Sequence, residues 1–205
     1  MTALLSNFRN TIIVSFVLAL IMVYAFFTVN QSGSADMGVF AIAVLRWLHV
    51  FFGILWIGLL YYFNFVQIRV MPQIPAELKP AVSKYIAPEA LFWFRWAALA
   101  TWVVGVALAF HRGYLVDAFI LDAGNGFANK GLMLLGIGMW LATIMFVNVW
   151  GFIWPAQKIA LGIKEGFDAD AKAAAGKKAM IFSRINTLLS IPMLVTMTMY
   201  QSIVS

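Results

Sequence analysis

The sequence contains no cysteine. Disulfides, thiolate zinc sites, iron–sulfur clusters and covalently attached c-type heme are therefore excluded within it. Histidine is nearly absent as well, with only His49 and His111 in 205 residues. Charge is the third shortage. Charged residues make up 11% of the chain, where a soluble domain carries roughly 25%. With 63% of residues hydrophobic, too little polar surface is left to clothe a globule in water. These absences describe an all-α integral membrane protein. Histidine, methionine, carboxylates and backbone are the metal ligands that remain. The net charge of +6 would suggest a nucleic-acid partner in a soluble chain. Here the loops account for it, and no nucleic-acid partner is expected.

Crossing the hydrocarbon takes about 20 apolar residues as helix. Five segments qualify, at 11–28, 45–66, 91–111, 132–153 and 182–203. The first is short, but "FFTVNQSG" shows no small-residue cleavage pattern, so it reads as a retained helix and not as a signal peptide. Lysine and arginine in the loops set the orientation. Arg9 precedes the first span, and 29–44 has neither residue type. The next loop has Arg69, Lys79 and Lys84. The one after it has Arg112 and Lys130, offset by Asp117 and Asp122. The last has Lys158, Lys164, Lys172, Lys177 and Lys178. The alternation predicts a cytoplasmic N-terminus, an outer C-terminus and a multi-pass protein of a bacterial-type inner membrane. The Ala- and Lys-rich stretch 156–180 predicts a short amphipathic helix on the inner surface.

Polar residues inside spans are costly, and each calls for a partner. They fall in two layers. Near the outer ends, the second span opens "RWLHVFFGILWIGLLYYFNF" with Arg46 and His49, and the third closes on His111 and Arg112. Antiparallel neighbours could place the two imidazoles at similar depth. The second span presents His49, Gly53, Trp56, Leu60 and Phe63 at helical spacing. The third offers Ala97, Ala100, Val104, Ala107 and His111. Two histidines over a slot of small and aromatic side chains would suit heme b, held by axial ligation. Arg46 could meet a heme propionate, and Gly53 and Trp56 could line the slot. The plainer alternatives are a solvated His111, a His49 hydrogen-bonded to a neighbouring helix, an Arg46 that snorkels to headgroups and a Trp56 that simply fills the core.

The inner layer holds Asn64, Gln67, Arg95, Asn148, Arg184, Asn186, Thr187 and Ser190. Arg95, Asn148, Arg184 and Asn186 together could grip a small planar anion, since guanidinium groups bind such anions bidentately. The alternative is that the arginines contact lipid phosphate while the amides knit helices together. Gly131, Gly136 and Gly138 read as close helix contacts, and Pro192 as a kink in the fifth span.

Three blocks, "RWLHVFFGILWIGLLYYFNFVQ", "FVNVWGFIWPAQK" and "RINTLLSIPMLVTM", resemble the membrane domain of the PuuD-type urate oxidases (urate hydroxylases). With "PEALFWFRWAALATWVVGVAL" the resemblance reaches across about residues 40–200. It implies oxidation of urate with electrons passed to a cytochrome c domain. This sequence has no C-x-x-C-H, so the acceptor would be a separate cytochrome c or a quinone. The shared motifs fall on His49, Trp56, Asn148, Trp154, Arg184, Asn186 and Pro192. The segment from His49 to Gly58 is also similar to the first helix of the membrane-bound protoporphyrinogen oxidases of the HemJ type, where the corresponding histidine is implicated with heme b. The expected function is thus a membrane redox protein, with the catalytic residues unassigned. The competing expectation is a non-catalytic subunit of a larger respiratory or photosynthetic membrane complex. A small-anion transporter is disfavoured, because no repeated pair of broken helices is present.

Overall fold

A computed structural model describes residues 5–29 and 36–203. Among the described residues helix is the only regular secondary structure, and five helices are long and apolar enough to cross a membrane. They are α1 (Phe8–Val29), α2 (Met37–Tyr61), α3 (Ala87–His111), α4 (Lys130–Asn148) and α5 (Ala169–Ile203). Asp36 starts α2 by accepting the Gly38 N–H at 2.8 Å. Asn129 starts α4 by accepting the Leu132 N–H at 2.9 Å. Each satisfies a donor that the first helical turn leaves open.

The chain runs up and down, so that successive long helices are antiparallel. The packing is strongest within two pairs, α2 with α3 and α4 with α5. α5 also touches α2, and α3 touches α4, which closes a four-helix bundle. Its centre is Trp56, Leu60, Phe63, Phe94, Met145, Val149, Ile153 and Met193. α1 lies outside this bundle against α2, through Phe16 on Trp47 and Phe51 and through Phe27 on Phe40. The apolar side chains left exposed on the helices, such as Ile54, Phe110 and Leu188, are those a lipid-solvated surface requires.

Three of the long helices contain π-helical turns: Tyr62–Gln67 continuing α2, Val82–Ile86 leading into α3, and Val149–Ile153 continuing α4. Such turns insert an extra residue into the helical ladder and are frequent at functional sites.

The expected surface helix over 156–180 does not exist as a separate element. Its first part, Trp154–Ala160, prolongs α4 beyond the π turn, and its second part is the beginning of α5. The break falls between them, where Gly162 and Gly166 take φ of +73° and +87°. Asp168 then starts α5 by accepting the Ala171 N–H at 2.7 Å. The Ala/Lys-rich segment has high helix propensity, so nothing stops it from joining the fifth span. The resulting 35-residue helix is about 52 Å long and projects well past a hydrocarbon core of about 30 Å.

The connection between α3 and α4 is built on Asp122. Its side chain is 1% exposed. It accepts the Asn125 amide at 2.9 Å and the Asn129 N–H at 2.7 Å, while Leu121 and Asp122 both hold positive φ, 55° and 60°. Left-handed backbone at a leucine costs about 1–2 kcal/mol, and the Asp122 bonds are what hold it there. The same bonds, the one from Asn125 foremost, keep the Asp122 carboxyl below the usual carboxylate range. A depressed folded-state pKa means a contribution that is complete above the unfolded value, about 3.9, and is lost as pH falls through the folded value. Hydrogen exchange at the Asn129 amide is therefore expected to accelerate on acidification below pH 4. In Asp122→Asn that acid dependence should vanish, with faster exchange at every pH.

Candidate functional site

His49 is held across the α2–α3 contact by a backbone carbonyl, in space that one glycine leaves open. His49 Nδ1 lies 2.9 Å from the carbonyl oxygen of Thr101. A carbonyl only accepts, so Nδ1 carries the proton and Nε2 keeps its lone pair. Gly105 makes this contact possible, because a Cβ there would stand 2.7 Å from His49 Cε1. One turn along α2, a Cβ on Gly53 would stand 3.8 Å from Thr101 Cγ2. α2 and α3 thus pack directly on each other at this level, and Gly53 serves that contact.

His111 is not brought to His49. It sits six residues beyond Gly105, about 9 Å further along α3 and about 120° around it, is exposed, and rests against Phe110 at 6.0 Å. The expected slot between two histidines is filled by the helix–helix contact itself. Trp56 lies deeper, 1% exposed in the core, and its indole Nε1 has no hydrogen-bond partner among the described residues. Arg46 lies one turn outward from His49 and is exposed, lining a groove with Arg112.

In the inner layer the expected amides and hydroxyls find partners inside the bundle, Tyr61 and Ser183 join them, and the two arginines do not. Asn148 Nδ2 donates to Asn186 Oδ1 at 2.9 Å, and Asn186 Nδ2 donates to the Met145 carbonyl at 3.0 Å. Asn186 is 0% exposed. Asn64, inside the first π turn, donates to the Leu60 carbonyl at 2.9 Å and to Ser183 Oγ at 2.8 Å. Tyr61 and Ser190 meet at 3.0 Å through their hydroxyls, and Ser190 donates to the Thr187 carbonyl at 2.7 Å.

The two arginines stand apart from this network. Arg184 is exposed, since two residues from Asn186 is about 200° around α5. Arg95 stacks its guanidinium 4.0 Å over the Trp154 ring and 5.1 Å from the Phe92 ring. That cation–π contact holds the charge at the bundle's edge.

Ser183 and Tyr61 are the participants that sequence reasoning missed. A signal for Ser183 was present. Ala179, Ser183, Asn186, Ser190 and Met193 recur at steps of four and three, and all are buried. This is the small and polar stripe by which membrane helices approach each other.

Four buried polar atoms have no hydrogen-bond partner among the described residues: Trp56 Nε1, Asn64 Oδ1, Gln67 Oε1 and Trp150 Nε1. Three of the four belong to the two π turns that pack on α5. Buried polar groups are nearly always satisfied, so these two acceptors and two donors are open valences of the interior. No group of three or more His, Asp or Glu residues gathers as a metal site among the described residues.

Comparison with known proteins locates the resemblance. No curated protein and no solved structure matches the chain. One family does, and its match begins at the Asp122 connection and takes in all of α4 and nearly all of α5, including Asn148, Ser183, Asn186, Ser190 and Pro192. His49, Arg46 and Arg95 lie outside it. Over residues 119–201, the half of the bundle that carries the buried amide pair, the chain is similar to the urate oxidase N-terminal family.

Proposed function

We propose that this protein is a membrane-bound oxidoreductase domain of the urate-oxidase type. It oxidises a small organic substrate by two electrons and passes them to a separate cytochrome c or quinone. The observation that carries the reading is the coincidence of the family match with the Asn148–Asn186 pair. Beside that pair, the π turns present Asn64 Oδ1 and Gln67 Oε1 as acceptors and Trp150 Nε1 as a donor. A heterocycle with ring N–H groups and carbonyls answers both kinds of open valence. Among the cations at this end of the bundle, Arg95 is stacked on Trp154, a position that suits it to draw an anionic substrate towards the layer. The protein sits in a cytoplasmic membrane with its lysine-rich end inside.

Of the expected heme contacts, His49 alone keeps the arrangement of a ligand, and the slot beside it is occupied by the α2–α3 contact. His49, with its Nδ1 proton fixed on the Thr101 carbonyl, has the donor arrangement of a ligating imidazole whose Nε2 is free. His111 is not its partner in ligation. When bound, the heme would supply a one-electron relay. The protein's own part is to hold His49 in a single tautomer, through Thr101 and the space over Gly105.

The test is the detergent-purified protein assayed for urate-dependent reduction of added cytochrome c or ubiquinone, with an absorption spectrum taken in parallel. Turnover that falls at least tenfold in Asn186→Ala supports the substrate layer. A b-type spectrum lost in His49→Ala and kept in His111→Ala supports the ligand assignment, and an unchanged spectrum in His49→Ala overturns it. Absence of turnover, together with stoichiometric co-purification with a large redox complex, would select the accessory-subunit reading.

A further inference from the structure

Independently of the redox chemistry, the structure assigns a binding site for one anionic phospholipid to the groove between Arg46 and Arg112. The groove has a volume of about 490 Å³ and is lined by Val39, Ile42, Ala43, Arg46, Trp47, Val50 and Arg112. Its floor is a stripe on α2. Val39, Ala43, Arg46 and Val50 follow at steps of four, three and four, and all are exposed. The site therefore has an apolar trough along the helix axis and a cationic head.

The cationic head is assembled by the fold. Arg46 belongs to α2, and Arg112 is the residue just past α3. Neither forms an ion pair with a carboxylate among the described residues, and Asp36, which starts α2, is engaged with the Gly38 N–H. Both guanidinium groups line the same groove, and an anion between two like charges offsets their repulsion.

These arginines stand at the end of the bundle opposite the five lysines of 158–178. Arginine is disfavoured at that end by the positive-inside bias. A bound phosphate gives the pair a reason to be there. Phosphate accepts bidentate hydrogen bonds from guanidinium. The acyl chains would run along Val39, Ala43 and Val50, and Trp47 is an indole of the kind that settles at headgroup depth. Charge complementarity thus selects the occupant, a lipid with an anionic headgroup.

The experiment is a thermal-unfolding titration of the delipidated, detergent-purified protein with dioleoyl phosphatidylglycerol, dioleoyl phosphatidylcholine and inorganic phosphate. It is run on the wild type and on Arg46→Gln/Arg112→Gln, Arg46→Lys/Arg112→Lys and Ala43→Phe. Phosphatidylglycerol should raise the midpoint at about thirtyfold lower concentration than phosphatidylcholine, the combined effect of two basic residues at one headgroup. The double glutamine variant should lose that preference, and the lysine pair should keep part of it. Ala43→Phe fills the trough and leaves both charges, so it should weaken phosphatidylglycerol binding as well. Equal response to the two lipids in the wild type would overturn the assignment. So would an undiminished phosphatidylglycerol preference in the double glutamine variant. A shift with inorganic phosphate equal to that with phosphatidylglycerol would reduce the site to an anion site and overturn the lipid. Loss of a heme spectrum in the double glutamine variant, with lipid binding intact, would make the arginines propionate contacts and overturn it too.

Discussion

Asn186→Ala should be the most damaging single polar substitution in this protein, costing about 2–4 kcal/mol of bundle stability and most of the turnover. The side chain is 0% exposed and makes two hydrogen bonds, one received from Asn148 Nδ2 and one given to the Met145 carbonyl. Truncation leaves the Asn148 amide as a buried donor without its acceptor, and a stranded group of this kind costs about 1–3 kcal/mol. The volume lost beside Met145 and Val149, both 0% exposed, adds a cavity term. Asn148→Ala should cost less, because it leaves an acceptor open on Asn186 while the bond to Met145 remains.

The double variant separates a pair from two independent contributors. With both amides removed, neither strands the other. The combined loss should therefore fall short of the sum by about 1–2 kcal/mol, near the upper end found for hydrogen bonds between membrane helices. Unfolding in mixed micelles, followed by circular dichroism, gives the stabilities. Additivity within experimental error would mean that the 2.9 Å contact contributes nothing of its own. Arg184→Gln is the control. It lies on the opposite, exposed face of α5 and should leave both stability and the proposed turnover unchanged, whereas a large loss of turnover would return Arg184 to the substrate layer.

The contrast between Asn186 and Arg184 shows where the sequence was legible. Helix number and alternating direction follow from apolar length and from lysine placement, because the bilayer sets the length. Depth is legible too, since a rise of 1.5 Å per residue converts position into level. Asn64, Asn148, Asn186 and Ser190 therefore share one level, where Asn148 pairs with Asn186, Asn64 with Ser183 and Ser190 with Tyr61. Rotation about each axis is harder to read. In a soluble helix the polar face points outward and fixes the rotation, but here lipid and protein faces are equally apolar. His111 was therefore turned towards His49 in the sequence reading, and lies about 120° away in the fold.

Residue chemistry supplies part of what periodicity withholds. An amide is too short to reach water from mid-helix and must find its partner inside the bundle, as Asn148 and Asn186 do. An arginine is long enough to escape, as Arg184 does, or to rest on an aromatic ring at the rim, as Arg95 does on Trp154. Glycine is the second guide. Gly105 and Gly53 lie at the α2–α3 contact, and reading Gly53 as space for a ligand overlooks that a neighbouring helix uses such space first. The π turns left no sequence signal at all, because each is a response of one helix to the helices packed against it.

Gly136→Ala should be the most damaging addition of a single methyl group, and the neighbouring glycine explains why. At Gly136 a Cβ would collide with the carbonyl oxygen of Ala118, in the short helix Leu115–Phe119, and would approach Leu121 Cδ2 to 2.9 Å. The obstacle is backbone, pinned by the Asp122 bonds and by the Trp140 indole donating to the Phe119 carbonyl at 2.8 Å. It cannot turn aside, so the helix hairpin itself must shift. Overpacking of this kind costs about 1–3 kcal/mol, and the upper end is expected here. At Gly138 a Cβ would meet Thr196 Oγ1 across the α4–α5 contact. Thr196 is a side chain and can rotate, at the expense of the 2.8 Å bond it gives to the Met193 carbonyl. Gly138→Ala should therefore cost less than Gly136→Ala, and Thr196→Ala should recover most of the loss in the double variant, while the same change does nothing for Gly136→Ala. Gly58, with nothing within 4 Å of its Cβ position, calibrates the series. Gly58→Ala should be neutral or stabilising by about 0.5–1 kcal/mol from helix propensity alone. If Gly136→Ala proved as harmless as Gly58→Ala, the close approach of Ala118 to α4 would be wrong, and with it the rigid connection that sets α4 against α5 at the amide pair.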